Sequence, residues 1–275
     1  MHSDDGILYI ATGEKYLQEA KRAATRASKI TDLPISIVTY RPIESDLFDQ
    51  VIIDQEPEDT FSDKPRNLLK SPYDRTVYMD TDTYVIEPIN DLFDILDKYH
   101  IAVTLDPFEG GLYSMDQTSI SKGAVPEFQT GVIVYQSTPE AEQFIDSWNY
   151  YHSPPEQEDQ LSFRSAYEEC NTEVGVFSPR YNALVRTSIG GPVKILHNPQ
   201  RSLADTDLEV RDEILDEINA GNGIRLLSVS HADGMIYDPF ESPVGLGLHR
   251  IILENGYLSI PRQLIKKIKL KINNI

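Results

Sequence analysis

Residues 75–85 read RTVYMDTDTYV, and this stretch contains the pattern on which the fold depends. Its apolar run ends at Asp80, and Asp82 follows one residue later. A short β-branched and aromatic run of this kind predicts a buried strand. Side chains at i and i+2 of an extended segment point the same way, so both carboxylates are expected on one side and Thr81 on the other. Because two buried like charges repel, we expect either a cation between them or exposure to water.

The sequence around this stretch alternates short apolar runs with helical patterns. Residues 6–11 and 35–40 predict strands, and residues 14–28 between them predict a helix. This βαβ start favours a mainly parallel sheet with helices on its faces. Further strands are predicted at 50–54, 75–79, 101–105, 131–136, 174–177, 193–196 and 224–230, and further helices at 64–71, 89–99, 138–151 and 157–168. Asp80 then lies at the carboxyl end of a strand, where open α/β sheets bind ligands.

Composition limits the classes of partner. The chain of 275 residues has a formal net charge of -19, which argues against nucleic-acid binding, since polyphosphates need a positive surface. The acidity is also what adaptation to a salty cytoplasm would produce. A single cysteine, Cys170, excludes an intrachain disulfide and is typical of a reducing compartment. With no signal-peptide pattern in MHSDDG and no apolar stretch of about 18 residues, the sequence predicts a cytoplasmic protein.

Residues 258–275, LSIPRQLIKKIKLKINNI, differ from the rest of the chain because they hold five Lys/Arg and no acidic residue. Wound as a helix from Gln263, they place isoleucines and leucines on one face with lysines outside, as in a helix lying at a membrane surface. The alternation in KIKLKI equally predicts a strand, and docking on the acidic body of the protein is the other interpretation. We therefore expect one domain over residues 1–257 and a basic tail with a peripheral membrane role or a self-docking role.

The spacing of Asp80 and Asp82 suits a hard divalent cation. Mg²⁺ and Mn²⁺ commonly bind diphosphates through one or two carboxylates, water and phosphate oxygens. In a chain with 44 acidic residues the pair alone is weak evidence, but the strand in front of it strengthens the signal. A rival pattern is that of haloacid-dehalogenase phosphatases, in which a strand also precedes Asp-x-Asp and the first aspartate accepts the phosphoryl group. That pattern places Thr or Val where this chain has Tyr84, and usually near the N-terminus.

The whole stretch resembles nucleotide-sugar glycosyltransferases of the GT-A fold, most closely the family 8 type, in which Asp-x-Asp holds Mn²⁺ against the donor diphosphate. The resemblance extends over most of residues 6–200. It implies a Rossmann-like α/β fold with a mixed, mainly parallel sheet, a nucleotide-sugar donor (expected to be a UDP-sugar), Mn²⁺ or Mg²⁺, and transfer with retention. It leaves the acceptor open among carbohydrates, lipid-linked groups and proteins. A nucleotide-sugar-binding protein that has lost catalysis is the further alternative, against which the intact motifs weigh.

Segments that match the family imply the donor-side residues. YIATGEKYLQEAKRAATR (9–26) resembles the first strand and loop, and KPRNLLKS (64–71) resembles the helix before the metal strand, where Arg66 would reach the donor sugar or phosphate. FQTGVIVYQ (128–136) places Gln129 near the sugar, where the family has Asn or Asp. The remaining residues implied for the nucleotide-sugar are Ala11, Thr12, Gly13, Tyr16, Asp80 and Thr81.

Two later segments imply the rest of the site. EDQLSF (158–163) resembles the segment in which Asp159 and Gln160 would face the transferred sugar, which makes them the candidates for catalysis. VKILHNPQ (193–200) offers His197 as the third metal ligand beside Asp80 and Asp82, and imidazole suits Mn²⁺. The alternative third ligand is His231, and Arg201 would replace the phosphate-binding lysine that often follows the histidine.

Overall fold

The computed structural model describes residues 4–106, 125–152, 159–184 and 187–197, with short pieces at 212, 215–216, 218–219, 224–227 and 236–237. The basic tail at 258–275 lies outside the described residues, as do Arg201 and His231. Among the helices that are described, none combines the length and the apolar character needed to cross a bilayer.

Most elements follow the alternation predicted from sequence, with boundaries shifted by a few residues. Four short strands were not predicted, Thr83–Val85, Ala183–Leu184, Ser188–Gly190 and Ile236–Tyr237. The segment predicted as a helix at 89–99 is a 3₁₀-helix, Asn90–Asp97, and a second short one covers Pro179–Tyr181. The elements in chain order are β1 Asp5–Ala11, α1 Glu14–Ile30, β2 Ile35–Thr39, β3 Gln50–Ile53, α2 Asp63–Leu68, β4 Arg75–Met79, β5 Thr83–Val85, β6 Ile101–Leu105, β7 Phe128–Gln136, α3 Pro139–Tyr151, α4 Asp159–Glu169, β8 Val174–Val176, β9 Ala183–Leu184, β10 Ser188–Gly190, β11 Ile195–His197, β12 Ile224–Leu227 and β13 Ile236–Tyr237.

The main sheet has the strand order β3-β2-β1-β4-β7-β6-β8. Strands β3, β2, β1 and β4 run parallel, β7 is antiparallel to both of its neighbours, and β8 is parallel to β6. The predicted mixed, mainly parallel α/β sheet is therefore confirmed. The chain winds outward from β1 to β3 and then returns to β4, so the order reverses between β1 and β4. A reversal of this kind opens a crevice at the carboxyl ends of the two strands, where α/β folds bind ligands.

Helices cover both faces of this sheet, which explains why its strands read as nearly continuous apolar runs. On one face, Leu17 and the alanines of α1 pack against side chains such as Ile7 and Val77. On the other face, Trp148 of α3 and Phe163 of α4 pack with Leu8 and Tyr78. Successive residues of β1 and β4 thus enter opposite cores, and the strand ends are held at fixed positions.

A smaller sheet of strands β5, β11 and β9 carries the chain away from the main sheet. Strand β5 begins right after Asp82 and pairs antiparallel with β11, in a register that sets Thr83 opposite His197. The pairing brings a histidine that is 115 positions later in the sequence to the residue next to Asp82. The pairing of β5 with β11 thus places His197 beside the segment that contains Asp80 and Asp82.

The loop after β3 is held by a buried carboxylate. Asp54, only 5% exposed, accepts hydrogen bonds from Arg66 at 2.8 Å, Asn67 at 2.9 Å and Lys70 at 3.1 Å. Burial alone would raise the pKa of Asp54, but the hydrogen bonds from Asn67 and Lys70 and the charge of Arg66 lower it to about 2. The ionised form is therefore favoured by the fold.

We expect Asp54→Asn to lower the free energy of unfolding at pH 7 by about 2 kcal/mol, because the folded pKa lies below the unfolded value of about 3.9. A carboxylate with a depressed folded pKa contributes stability above its unfolded pKa and loses it as the pH falls toward 2. Urea unfolding at pH 7 and pH 3 measures this, with the exposed Glu56→Gln as the control for charge. An equal loss of stability at both pH values would contradict the assignment.

Candidate metal centre

The Asp80–Thr83 segment is a turn and not the extended segment that the sequence pattern predicts. Strand β4 ends at Met79, and the N–H of Thr83 donates to the carbonyl oxygen of Asp80 at 3.1 Å while the Thr83 hydroxyl donates to the same oxygen at 2.7 Å. The turn is needed because the chain leaves the main sheet here to enter β5. Thr81 still faces away, with its hydroxyl donating to Glu19 of α1 at 3.0 Å.

Asp80, Asp82 and His197 converge at this turn. The His197 Nε2 atom lies 3.4 Å from Asp82 Oδ1 and 3.7 Å from Asp80 Oδ2. Within the described part of the chain, these three side chains form the one group of potential metal ligands whose ligand atoms all lie within 4.8 Å of one another. The sequence pattern named Asp80 and Asp82, the family resemblance added His197, and the structure brings the three together; their role as ligands stays a prediction.

The residues present fit a divalent cation. The two carboxylates are partly exposed, so water or phosphate oxygens have access to the site, while the histidine is buried. The His197 Nδ1 atom lies 2.7 Å from Asn182 Oδ1, so Nδ1–H donates to that oxygen, the ring is fixed and Nε2 faces the carboxylates. An O,O,N set of this kind suits Mn²⁺, while Mg²⁺ prefers oxygen alone.

Electrostatics at His197 also favour a cation. Burial lowers the pKa of the His197 imidazole, but Asp82 and Asp80 outweigh burial and raise it above its usual value. The negative field that retains a proton on this ring would act more strongly on a divalent ion, which must displace that proton to bind.

Lys64 of α2 is a site residue that the sequence interpretation missed. Its Nζ atom lies 2.9 Å from Asp80 Oδ1 and 2.8 Å from Asp159 Oδ2, and its side chain is 11% exposed. Burial lowers the pKa of Lys64, but Asp159 and Asp80 raise it well above the usual value, so the ammonium group stays charged. The signal available in the sequence was a lysine 16 positions before Asp80 in KPRNLLKS, the segment from which Arg66 was chosen.

Asp159, the first residue of α4, is joined to the group formed by Asp80, Asp82 and His197 through Lys64. Its Oδ2 atom also accepts from the Thr130 hydroxyl at 2.6 Å, and its carbonyl oxygen accepts from Trp148 Nε1 at 2.9 Å. Burial would raise the pKa of Asp159, but Lys64 and Thr130 lower it below its usual value. The neighbouring Gln160 is half-buried. The structure thus links the predicted catalytic segment to the predicted metal ligands by one ammonium group.

Gln129 and Gly131 lie on β7 beside His197. The Gln129 Oε1 atom accepts from the Gly131 N–H at 2.9 Å, and the Gly131 carbonyl oxygen accepts from the Asp80 N–H at 2.8 Å. The imidazole of His197 lies directly against the Gly131 backbone, because a Cβ built at Gly131 would be 2.0 Å from its Cε1 atom. Glycine at this position makes room for the ring.

We expect Gly131→Ala to weaken Mn²⁺ binding at least tenfold and to lower the free energy of unfolding by about 1–3 kcal/mol, because the added methyl group displaces His197. Mn²⁺ titration and urea unfolding measure the two effects. Gly190→Ala is the matched control, since a Cβ there meets no atom within 4 Å. Unchanged Mn²⁺ affinity in a folded Gly131→Ala protein would contradict the contact.

The residues predicted to surround a nucleotide lie at the carboxyl end of β1. Ala11 ends the strand, Thr12 is buried, and Gly13 precedes α1, whose first-turn N–H groups form a positive helix end. Tyr16 is 38% exposed on the first turn of this helix. This end of β1 faces the same crevice as Asp80 and Thr81, across the reversal in strand order.

Arg66 is placed differently from the other predicted donor-side residues. Its guanidinium contacts three carboxylates, those of Asp54 at 2.8 Å and Glu58 at 3.1 Å in the loop after β3 and that of Asp63 at the start of α2. These contacts favour a role in holding that loop, and its predicted contact with a donor stays a prediction. Asn182, a residue that the sequence analysis did not single out, orients His197.

No protein-family model matches the sequence, and no curated protein resembles it at a significant level. The structure is similar to solved glycosyltransferases. The galactosyltransferase LgtC in complex with donor and acceptor sugar analogues matches with a TM-score of 0.52 at 13% identity, over 78% of this chain and 96% of that one. GlyE of Streptococcus pneumoniae TIGR4 matches with a TM-score of 0.50 at 14% identity, over 77% of this chain and 60% of that one. The bifunctional glycosyltransferase WbbM matches with a TM-score of 0.50 at 13% identity, over 72% of this chain and 46% of that one.

This chain therefore spans less than two thirds of GlyE and of WbbM, and nearly the whole of LgtC. Identities this low establish a likeness of fold, and membership of family 8 stays a prediction. The strand order, the flanking helices and the structural likeness agree on one architecture. The described part of the chain has the GT-A fold of these glycosyltransferases.

Proposed function

We propose that this protein is a metal-dependent glycosyltransferase that moves a sugar from a nucleotide-diphosphate sugar, with UDP as the expected nucleotide, to an acceptor. The observation that carries the proposal is the convergence of Asp80, Asp82 and His197 at the crevice between β1 and β4. A fold can host unrelated functions, so the proposed activity depends on the side chains of this site, and the fold only supports it.

In this proposal the metal site is held by Asp80, Asp82 and His197, with Mn²⁺ preferred over Mg²⁺. The bound ion supplies Lewis-acid stabilisation of charge on a leaving diphosphate. The chain supplies the rest: Asn182 orients the imidazole, the first turn of α1 offers N–H donors to phosphate, and Lys64 adds a fixed positive charge next to Asp80. Preorganised donors and charges of this kind account for a large part of catalysis in enzymes that stabilise developing anions.

Asp159 is the side chain that we place nearest the transferred sugar, with Gln160 beside it. Its carboxylate is kept ionised by Lys64 and Thr130, so it can stabilise positive charge on a sugar or accept a proton from a hydroxyl group. Transfer with retention is part of the proposal through the family resemblance. LgtC, a neighbour in fold, was solved with donor and acceptor sugar analogues, which supports a sugar donor and a sugar-like acceptor for this chain.

The test is a panel of UDP- and GDP-sugars, assayed for hydrolysis and for transfer to carbohydrate, lipid-linked and protein acceptors, with and without Mn²⁺. We expect release of UDP that requires Mn²⁺. Phosphate release from simple phosphomonoesters with no dependence on a nucleotide would instead support a phosphatase that uses Asp80. Calorimetric binding of UDP without turnover on any acceptor would support a protein that only binds the donor.

A further inference from the structure

The ammonium group of Lys64 contacts Asp80, so a metal ion bound at Asp80 would compete with it for that carboxylate. Its Nζ atom contacts both oxygens of Asp80, at 2.9 Å and 3.2 Å, and Asp159 Oδ2 at 2.8 Å. The Thr130 carbonyl oxygen is 3.5 Å away, and the ring of Tyr78 lies 5.5 Å below. One buried positive charge therefore lies between two carboxylates that would otherwise repel each other, and the three groups together keep one negative charge.

Asp80 is shared between this lysine and the proposed metal ligands. Its Oδ2 atom is 3.2 Å from Lys64 Nζ and 3.7 Å from His197 Nε2. A divalent ion between Asp80, Asp82 and His197 would have to take an oxygen that the ammonium group already binds. It would also sit a few ångströms from a fixed positive charge, and repulsion at that distance is strong in a partly buried site.

We propose that Lys64 is the resident cation of the metal-free site and that a divalent ion and Lys64 compete for Asp80. This inference rests on the proposed metal-dependent function. When the ion binds, Lys64 keeps its contacts with Asp159 and Thr130 and its charge is no longer neutralised by Asp80. A diphosphate in the crevice supplies the missing negative charge. Lys64 thereby makes metal and nucleotide binding cooperative. The bound ion frees the charge of Lys64 to attract the diphosphate, and the diphosphate reduces the repulsion between Lys64 and the ion.

The experiment measures free Mn²⁺ by electron paramagnetic resonance during titration of the full chain, with and without UDP. We expect Lys64→Met to tighten binding of Mn²⁺ alone at least tenfold and to reduce the factor by which UDP increases Mn²⁺ affinity at least fivefold. Lys70→Met is the matched control, since Lys70 is six residues away, pairs with Asp54 at 3.1 Å and loses the same charge. It should change both quantities less than twofold.

A Mn²⁺ affinity that is unchanged or weakened in a folded Lys64→Met protein overturns the proposal. Since that variant leaves Asp159 buried without its cation, Lys64→Met combined with Asp159→Asn provides a second comparison in which neither charge is present. We expect it to bind Mn²⁺ at least threefold more tightly than Asp159→Asn alone, and equal affinities overturn the proposal.

The same titration separates this inference from the function on which it rests. If wild-type protein binds no Mn²⁺, or if Asp82→Asn binds it as the wild type does, the metal-dependent function itself fails. If Asp82→Asn abolishes binding as expected while Lys64→Met behaves like Lys70→Met, only the role of Lys64 fails.

Discussion

Replacing Asp82 with asparagine is expected to lower metal-dependent sugar transfer about a thousandfold and to abolish Mn²⁺ binding in the micromolar range. Loss of one anionic ligand removes the ion and with it the stabilisation of charge in the transition state, which is typically several kcal/mol. A loss of about 4 kcal/mol corresponds to a thousandfold decrease in rate. Of the two carboxylates proposed as ligands, Asp82 is the one to replace because it is the more exposed, at 41%, so its substitution disturbs packing least.

The measurement is UDP release from the donor that gives the highest turnover, at saturating Mn²⁺ and as a function of Mn²⁺ concentration. Asp146→Asn is the control, since it makes the same change on the exposed face of α3. The free energy of unfolding of Asp82→Asn, measured in urea, should lie within about 1 kcal/mol of the wild-type value, as expected for a partly exposed side chain. Wild-type turnover in a folded Asp82→Asn protein would remove Asp82 from the metal site.

Asp159→Asn is expected to lower kcat for transfer by a factor of about a hundred or more, with a smaller change in the KM for the donor. Mutations that remove an interaction made only in the transition state lower kcat, whereas loss of uniform binding raises KM. The amide keeps an oxygen that accepts from Thr130 but removes the negative charge that Lys64 balances. A charge that stabilises the transition state is therefore lost while the local packing is kept.

Thr130→Val provides the comparison. It removes the 2.6 Å hydrogen bond to Asp159 and leaves the carboxylate and Lys64 in place. If Asp159 acts directly on the sugar, Thr130→Val should lower kcat far less than Asp159→Asn does. Equal losses would show that the substitutions act through the position of α4, and an unchanged kcat in Asp159→Asn would exclude a catalytic role.

Local patterns predicted the elements because those patterns depend on neighbours in the sequence. The apolar run before Asp80 specified β4 and the βαβ start specified the parallel half of the sheet, since strand and helix periodicity act over a few residues. The 3₁₀-helix Asn90–Asp97, in place of the longer helix predicted at 89–99, and the turn at Asp80 were not predicted. The turn occurs where the chain leaves the main sheet, and the pairing of β5 with the distant β11 decides the backbone conformation there.

The side chains that the sequence interpretation missed or misplaced are those defined by tertiary contacts. Lys64 was overlooked beside Arg66, because nothing local to α2 distinguishes a lysine that reaches Asp80 from an arginine that binds the loop after β3. Asn182 gave no sign that it would orient His197, which lies 15 residues later. Gly131 makes room for His197, a contact that depends on how β11 lies against β7.

The sequence by itself determined the α/β class and the strand that ends at Asp80, because each depends on patterns within a segment, and the family resemblance nominated Asp80, Asp82 and His197 as metal ligands. Only the tertiary structure decided that these three converge, that Lys64 joins them to Asp159 and that Arg66 binds acidic loop residues. The physical reason is that a charged side chain pairs with the opposite charge that the fold brings near. The pairing of β5 with β11 brings His197 to the two aspartates, and the position of α2 against the sheet brings Lys64 to Asp80 and Asp159.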